Sequence, residues 1–160
     1  MSETVRAKEA APAKAPAKSA RRRAREFALQ GLYQWRVGGQ DEAAIEAHLP
    51  ELEGFAKADR ALCLELVRGV MRQQESLLAH ITPQIDRAFE ELSPIEACIL
   101  LSGVFELLHH PQTPYRVVIN EAIELTKAFG GTDGHRYVNG VLDKLAASLR
   151  APEVEAARKA

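Results

Sequence analysis

A chain of 160 residues, 46% hydrophobic and 27% charged, is long enough to bury a core as one domain, and it holds no run of about 18 apolar residues that could span a membrane. Its formal charge of −1 conceals an asymmetry, because the first 25 residues carry eight Lys/Arg against Glu3 and Glu9 and the remainder carries thirteen against twenty acidic residues. A basic arm on an acidic body predicts a nucleic-acid or other polyanionic partner, and the absence of an apolar stretch at the N-terminus predicts a cytoplasmic protein without a secretory leader.

Residues 1–18, rich in Ala, Lys and Pro, hold almost nothing large to bury and are expected to form a disordered basic tail. Ser19 can cap a helix over about 20–37 that ends at Gly38-Gly39. Asp41 caps a short helix over 42–49, closed by Pro50. Asp59 caps a long one reaching about 81, with Leu62, Cys63, Leu66, Val67, Val70, Leu77, Leu78 and Ile81 at helical spacing. Thr82-Pro83 opens a further short helix to about 91. Ser93-Pro94-Ile95-Glu96 combines a cap, a proline suited to the first helical position and a glutamate that completes a capping box, and it starts a helix to about 109. Pro111 and Pro114 break the chain before a helix over 115–129, stopped by Gly130-Gly131. Asp133 starts the last, through about 149, ahead of Pro152 and a C-terminal tail over 151–160. Seven helices with short connections and no sustained strand alternation predict an all-α bundle.

The stretch SARRRAREFALQGLYQWR, 19–36, places four arginines on the first turns of a helix that must also pack. At about 100° per residue, Ala24, Phe27, Ala28, Gly31 and Trp35 share one side, and Arg22, Arg25, Leu29, Tyr33 and Arg36 share the other. Gly31 on the apolar side predicts close approach of a neighbouring helix. Guanidinium groups pair with phosphates and stack on bases, and Tyr33 offers a base a stacking platform. Cations at a helix N-terminus oppose the macrodipole, a conflict that an anionic ligand relieves. A solvated arginine face fits the same residues, and nothing in the stretch chooses between DNA and RNA.

The stretch VINEAIELTKAFGGTDGHRYVNGVLDKL, 118–145, is two helices around a glycine-containing turn, where backbone N–H groups at the second helix could hold a phosphate. No GK[ST] follows, so it is not a P-loop. Asp133 as a helix cap would work against an anion there. His135, Arg136 and Tyr137 again bring charge and an aromatic together. Cys63 and Cys98 read as reduced core cysteines. His109-His110 lies at a helix end without HExxH or zinc spacing, Glu121 and Glu124 read as a solvated face with Lys127, and Ser93 and Ser102 lack a base placed by any motif. No cofactor, metal or catalytic constellation is expected.

The two stretches together, RRRAREFALQGLYQW and INEAIELTKAFGGTDGHRYVNGVLDKL, resemble the NusB family of bacterial transcription antitermination factors. The resemblance covers about 20–149. It implies a seven-helix fold of two small helical subdomains, about 19–81 and 82–150. It also implies binding of the single-stranded boxA element of ribosomal RNA leader transcripts jointly with NusE, a ribosomal small-subunit protein, within a complex of other Nus factors on RNA polymerase. The arginine motif then corresponds to Arg21, Arg22, Arg23 and Arg25, with Gln30 and Tyr33 further along. Phe129, Asp133, His135, Arg136 and Tyr137 fall where the family brings its RNA surface. The segment EELSPIE matches the NusE-facing side, making Glu90 and Glu96 candidates with Arg87 nearby. Gly134, Arg136 and Tyr137 stand where a serine, a lysine and a phenylalanine are more usual. The resemblance extends to the NusB-like domain of certain ribosomal RNA cytosine methyltransferases, a reading that needs a downstream catalytic domain. A protein scaffold with a merely soluble basic arm is the remaining alternative.

Overall fold

The computed structural model describes residues 18–131 and 133–160 and contains eight α-helices among them: α1 Ala20–Gly38, α2 Glu42–His48, α3 Arg60–Arg72, α4 Gln74–Ile81, α5 Pro94–His109, α6 Tyr115–Phe129, α7 Gly134–Leu149 and α8 Ala151–Lys159. The basic tail expected over 1–18 lies outside the described residues except for Lys18, whose ammonium donates to Glu26 at 3.0 Å. No described helix is long and apolar enough to cross a membrane.

Local chemistry sets most boundaries. Ser19, Asp41, Asp59 and Ser93 each accept a hydrogen bond from the amide three residues on, at 2.9–3.1 Å, so four side chains satisfy amides that a helix start leaves unpaired. Gly39 closes α1 in the left-handed region at φ 70°, where glycine meets no steric cost. The glutamate half of the expected capping box is not made, because the Glu96 carboxylate lies against Gly134 of α7 instead.

Three sequence expectations change. The single helix over 59–81 is two, broken at Gln73 (φ −112°, ψ 21°), where the polar run Arg72–Ser76 offers no apolar contact to hold the turn and Gln73 Oε1 bonds His109 instead. The helix expected from Thr82-Pro83 to about 91 is a pair of 3₁₀ turns, Thr82–Gln84 and Phe89–Glu91, which drop Phe89 and Leu92 into the core. The tail over 151–160 is α8: Pro152 occupies its first turn, where a missing N–H costs nothing, rather than ending the preceding helix.

The central helix is α5. Ala97–Leu101 and Gly103–Leu107 are buried nearly all round, with α1, α3, α4, α6 and α7 packed against them. Side-chain size at crossings fixes the spacing. A side chain on Gly31 would begin 2.8 Å from Ile45, and one on Gly69 would overlap the Phe105 ring, so α1 meets α2, and α3 meets α5, at glycine. Cys63 and Cys98 are fully buried thiols, raised to about 12 by that burial, which makes them inert core residues.

Candidate nucleic-acid interface

The arginine helix does not divide into one packed and one solvent face. Leu29 and Arg25, expected on the outward side, are 4% and 6% exposed. Because α3 and α5 cover α1, its middle is buried, and past the arginine turns the exposed side chains are Gln30, Tyr33 and Val37, with Glu26 half-buried one turn before them. That i, i+4, i+7, i+11 spacing is a legible helical stripe, rotated from the one the arginines suggested.

The four arginines accordingly have different surroundings. Arg25 donates both edges of its guanidinium to Glu106 at 2.8 and 2.9 Å inside the protein, and so is withdrawn from the surface where the motif had put it. Arg22 is half-exposed and makes a second bidentate pair, with Glu121 of α6 at 3.1 and 2.8 Å; that carboxylate hydrogen bond is the main reason its pKa rises. Glu121 is thereby a strut between helices rather than part of a solvated face, whereas Glu124 does stay exposed, 3.9 Å from Lys127. Arg21 is exposed with Asp59 at 3.6 Å, and Arg23 pairs with no carboxylate among the described residues.

Gln30, Tyr33 and Phe129 come together. They line one groove of about 430 Å³ with Glu26, Leu29, Gln34 and Ile95, formed where α1 faces the end of α6 and the start of α5. Tyr33 and Phe129 are 39% and 44% exposed, unusual for large aromatics, and Gln34 Oε1 is buried there without a hydrogen-bond partner. Glu26, Leu29, Gln34 and Ile95 were missed by motif reading; the outward stripe on α1 was the available signal for Glu26.

The remaining candidates gather around the start of α7. Asp133 sits at φ 65° and makes no cap hydrogen bond, so its expected capping role is absent; its carboxylate points towards Arg136, 3.6 Å away, and both are exposed. His135 is partly buried. Tyr137 carries the Arg87 guanidinium over its ring at 4.6 Å, and its hydroxyl is buried without a partner, the burial raising its pKa. Glu90 is exposed in the second 3₁₀ turn, and Glu96 abuts Gly134. The aromatic groove and the α7 cluster adjoin, since Ile95 lines the groove and Glu96, the next residue, touches α7. Candidates attributed to RNA and to NusE meet at Tyr137 and Arg87. No group of three His, Cys, Asp or Glu among the described residues could hold a metal ion.

This helix order, a buried α5 flanked by paired helices, is that of solved antitermination-factor folds. Superposition on T. maritima NusB gives a TM-score of 0.71 at 27% identity, covering 82% of this chain and 94% of that one. A crystal structure of antitermination factors NusB and NusE in complex with dsRNA matches with a TM-score of 0.70 at 25% identity, over 79% and 95%. The NusB family model matches residues 22–147, and the chain belongs to the NusB family. It is 70% identical to the transcription antitermination protein NusB of Dechloromonas aromatica (strain RCB), over 92% of this chain and 90% of that protein. The corresponding protein of Ralstonia pickettii (strain 12J) is 58% identical over 92% and 96%.

Proposed function

We propose that the chain is a non-catalytic antitermination factor that holds single-stranded boxA RNA of ribosomal leader transcripts together with NusE, and with it joins other Nus factors on RNA polymerase. The observation that carries this reading is the groove in which Tyr33 and Phe129 stand exposed beside Gln30 and an unpartnered Gln34 oxygen. Exposed rings give unpaired bases a stacking surface, and base edges find polar groups beside them, the usual route to sequence preference in single-stranded RNA. Arg21 and Arg23 supply the phosphate contribution. Arg22 does so only by exchanging Glu121 for a phosphate.

Glu90, Glu96 and Arg87 form the NusE-facing side of the reading, contiguous with the RNA side at Tyr137. A partner there adds surface and affinity that an acidic body lacks on its own. The relative solved with NusE and dsRNA, and the close similarity to named antitermination proteins, support the assignment.

Fluorescence anisotropy with a short boxA RNA, a scrambled RNA and a duplex of the same length, each with and without NusE, tests it. Preference for single-stranded boxA that sharpens with NusE is the expected result. Equal weak binding to all three, indifferent to NusE, would leave only a protein scaffold.

A further inference from the structure

Two clefts flank α7 and share one residue. The first, of about 370 Å³, is lined by Ile85, Asp86, Arg136, Tyr137, Gly140 and Lys144 among others. The second, of about 380 Å³, includes Tyr115, Arg116, Asp143, Lys144, Val154 and Arg158. The residues that α7 contributes at 136, 140, 144 and 147 recur every three or four positions and so form one stripe. Nothing lies within 4 Å of where a side chain on Gly140 would begin, which leaves the stripe open at its middle. From Arg136 to Ala147 it runs about 16 Å.

The stripe gathers cations of a kind that other parts of the molecule neutralise. Arg22, Arg25, Arg68, Arg72 and Arg150 are each held by a carboxylate. Among the described residues no carboxylate pairs with Arg116, Lys144 or Arg158, and Arg136 has only the exposed Asp133. Two carboxylates line the clefts, Asp86, already engaged by Arg87 at 3.2 Å, and Asp143. Four cations thus outweigh them on a chain whose body is otherwise acidic.

The second cleft exists because α8 docks there. Arg150 donates to the carbonyls of Leu107, His110 and Thr113 and pairs with Glu153, while Glu153 accepts from the Tyr115 amide at 2.8 Å and Val154 is buried. This helix lies beyond the residues that the family model matches.

We infer that the stripe is a phosphate track, along which a single RNA strand bound at the proposed interface continues from Tyr137 across Gly140 to the cleft of Arg116, Lys144 and Arg158. The inference rests on the RNA-binding reading above. Cations with no partner accept a phosphate without breaking an ion pair, unlike Arg22. Contacts of this kind add affinity without choosing bases.

The test compares wild type with a Lys144→Gln/Arg158→Gln variant, both positions being exposed, on the core boxA RNA and on the same RNA extended stepwise at either end. Both proteins are expected to bind the core RNA equally. Extension at one end should tighten wild type alone and steepen its log–log salt dependence by about 0.7 per phosphate gained. Lys144→Arg should keep that gain. An equal gain in the variant, or no gain from either extension in wild type, would overturn the track, as would crosslinking of Lys144 to NusE in place of RNA. Failure of wild type to bind the core RNA at all would remove the interface reading itself, an outcome visible before any extension is added.

Discussion

Arg25 and Glu106, 81 positions apart, form a bidentate ion pair at 2.8 and 2.9 Å with side chains only 6% and 4% exposed, joining α1 to α5 in the interior. Removing one partner leaves the other charge buried and uncompensated. Arg25→Ala is therefore expected to lower stability by about 3–5 kcal/mol in urea unfolding, whereas Arg25→Met with Glu106→Leu should recover most of it. A change below about 1 kcal/mol for the single variant would show that the interior accommodates the lone carboxylate.

The same cluster predicts a pH dependence. His110 is buried with Glu65 at 3.1 Å and Glu106 at 3.7 Å. The Glu106 carboxylate foremost, then Glu65, outweighs burial and lifts its pKa above 6.5. Burial pushes the Glu106 carboxyl up, but the two hydrogen bonds from Arg25 and the nearby His110 ring prevail and hold it below 4.5. A raised pKa means the folded chain binds the proton more tightly. The His110 contribution is whole below the unfolded value and is lost as pH rises through the folded one. The Glu106 contribution runs the other way, whole above about 4.5 and lost as pH falls through its lowered value. The stability difference between wild type and His110→Gln should be larger near about pH 6 than near about pH 9. A difference that stays constant with pH in urea melts would refute this.

Two glycines should respond oppositely to alanine. At Gly69 the new methyl would overlap the Phe105 ring, which is itself buried, so Gly69→Ala should cost about 1–3 kcal/mol. At Gly140, within α7 and open to solvent, Gly140→Ala should stabilise by about 0.4–1 kcal/mol. Thermal unfolding of the two variants reads both signs.

Groove and arginine effects should separate by their salt response. Tyr33→Ala or Phe129→Ala should weaken RNA binding by about 1–3 kcal/mol each with an unchanged salt slope, since stacking releases no counterions. Arg21→Ala with Arg23→Ala should weaken binding and flatten the slope. All four positions lie outside the core, so melting temperatures should hardly move. A flattened slope in the aromatic variants would assign the groove to phosphate instead.

Asp133→Asn should strengthen RNA binding by removing a negative charge and releasing Arg136. The fold should persist, because asparagine tolerates φ 65° and no cap hydrogen bond is lost. Weaker binding with an intact circular dichroism spectrum would show that the carboxylate itself is required.

Much of this molecule is written in local signals. Helix starts at Ser19, Asp41, Asp59 and Ser93, the stop at Gly39 and the breaks around Pro111 and Pro114 are each set by one to four neighbouring residues. The all-α fold and membership of the family could be read from caps, periodicity and two motifs. Where the signal was ambiguous locally, the reading failed. Pro152 is equally compatible with ending a helix and with opening one, and only the docking of Arg150 on the end of α5 selects α8. The polar run at Gln73 permits continuation or a break, and the break goes with the bond of Gln73 to His109 at the end of α5.

What the sequence could not determine is which arginines face water. A run of cations on one helix looks uniform, because charge and spacing are local properties. Glu106 and Glu121, from helices 81 and 99 positions away, sequester Arg25 and engage Arg22, while Arg21 and Arg23 have no such bidentate partner among the described residues. The sequence alone determined that this chain is a helical bundle with a basic N-terminal arm. Tertiary packing decided which charges are left available to a ligand, because a charge is neutralised by its nearest neighbour in space, wherever in the chain that neighbour lies.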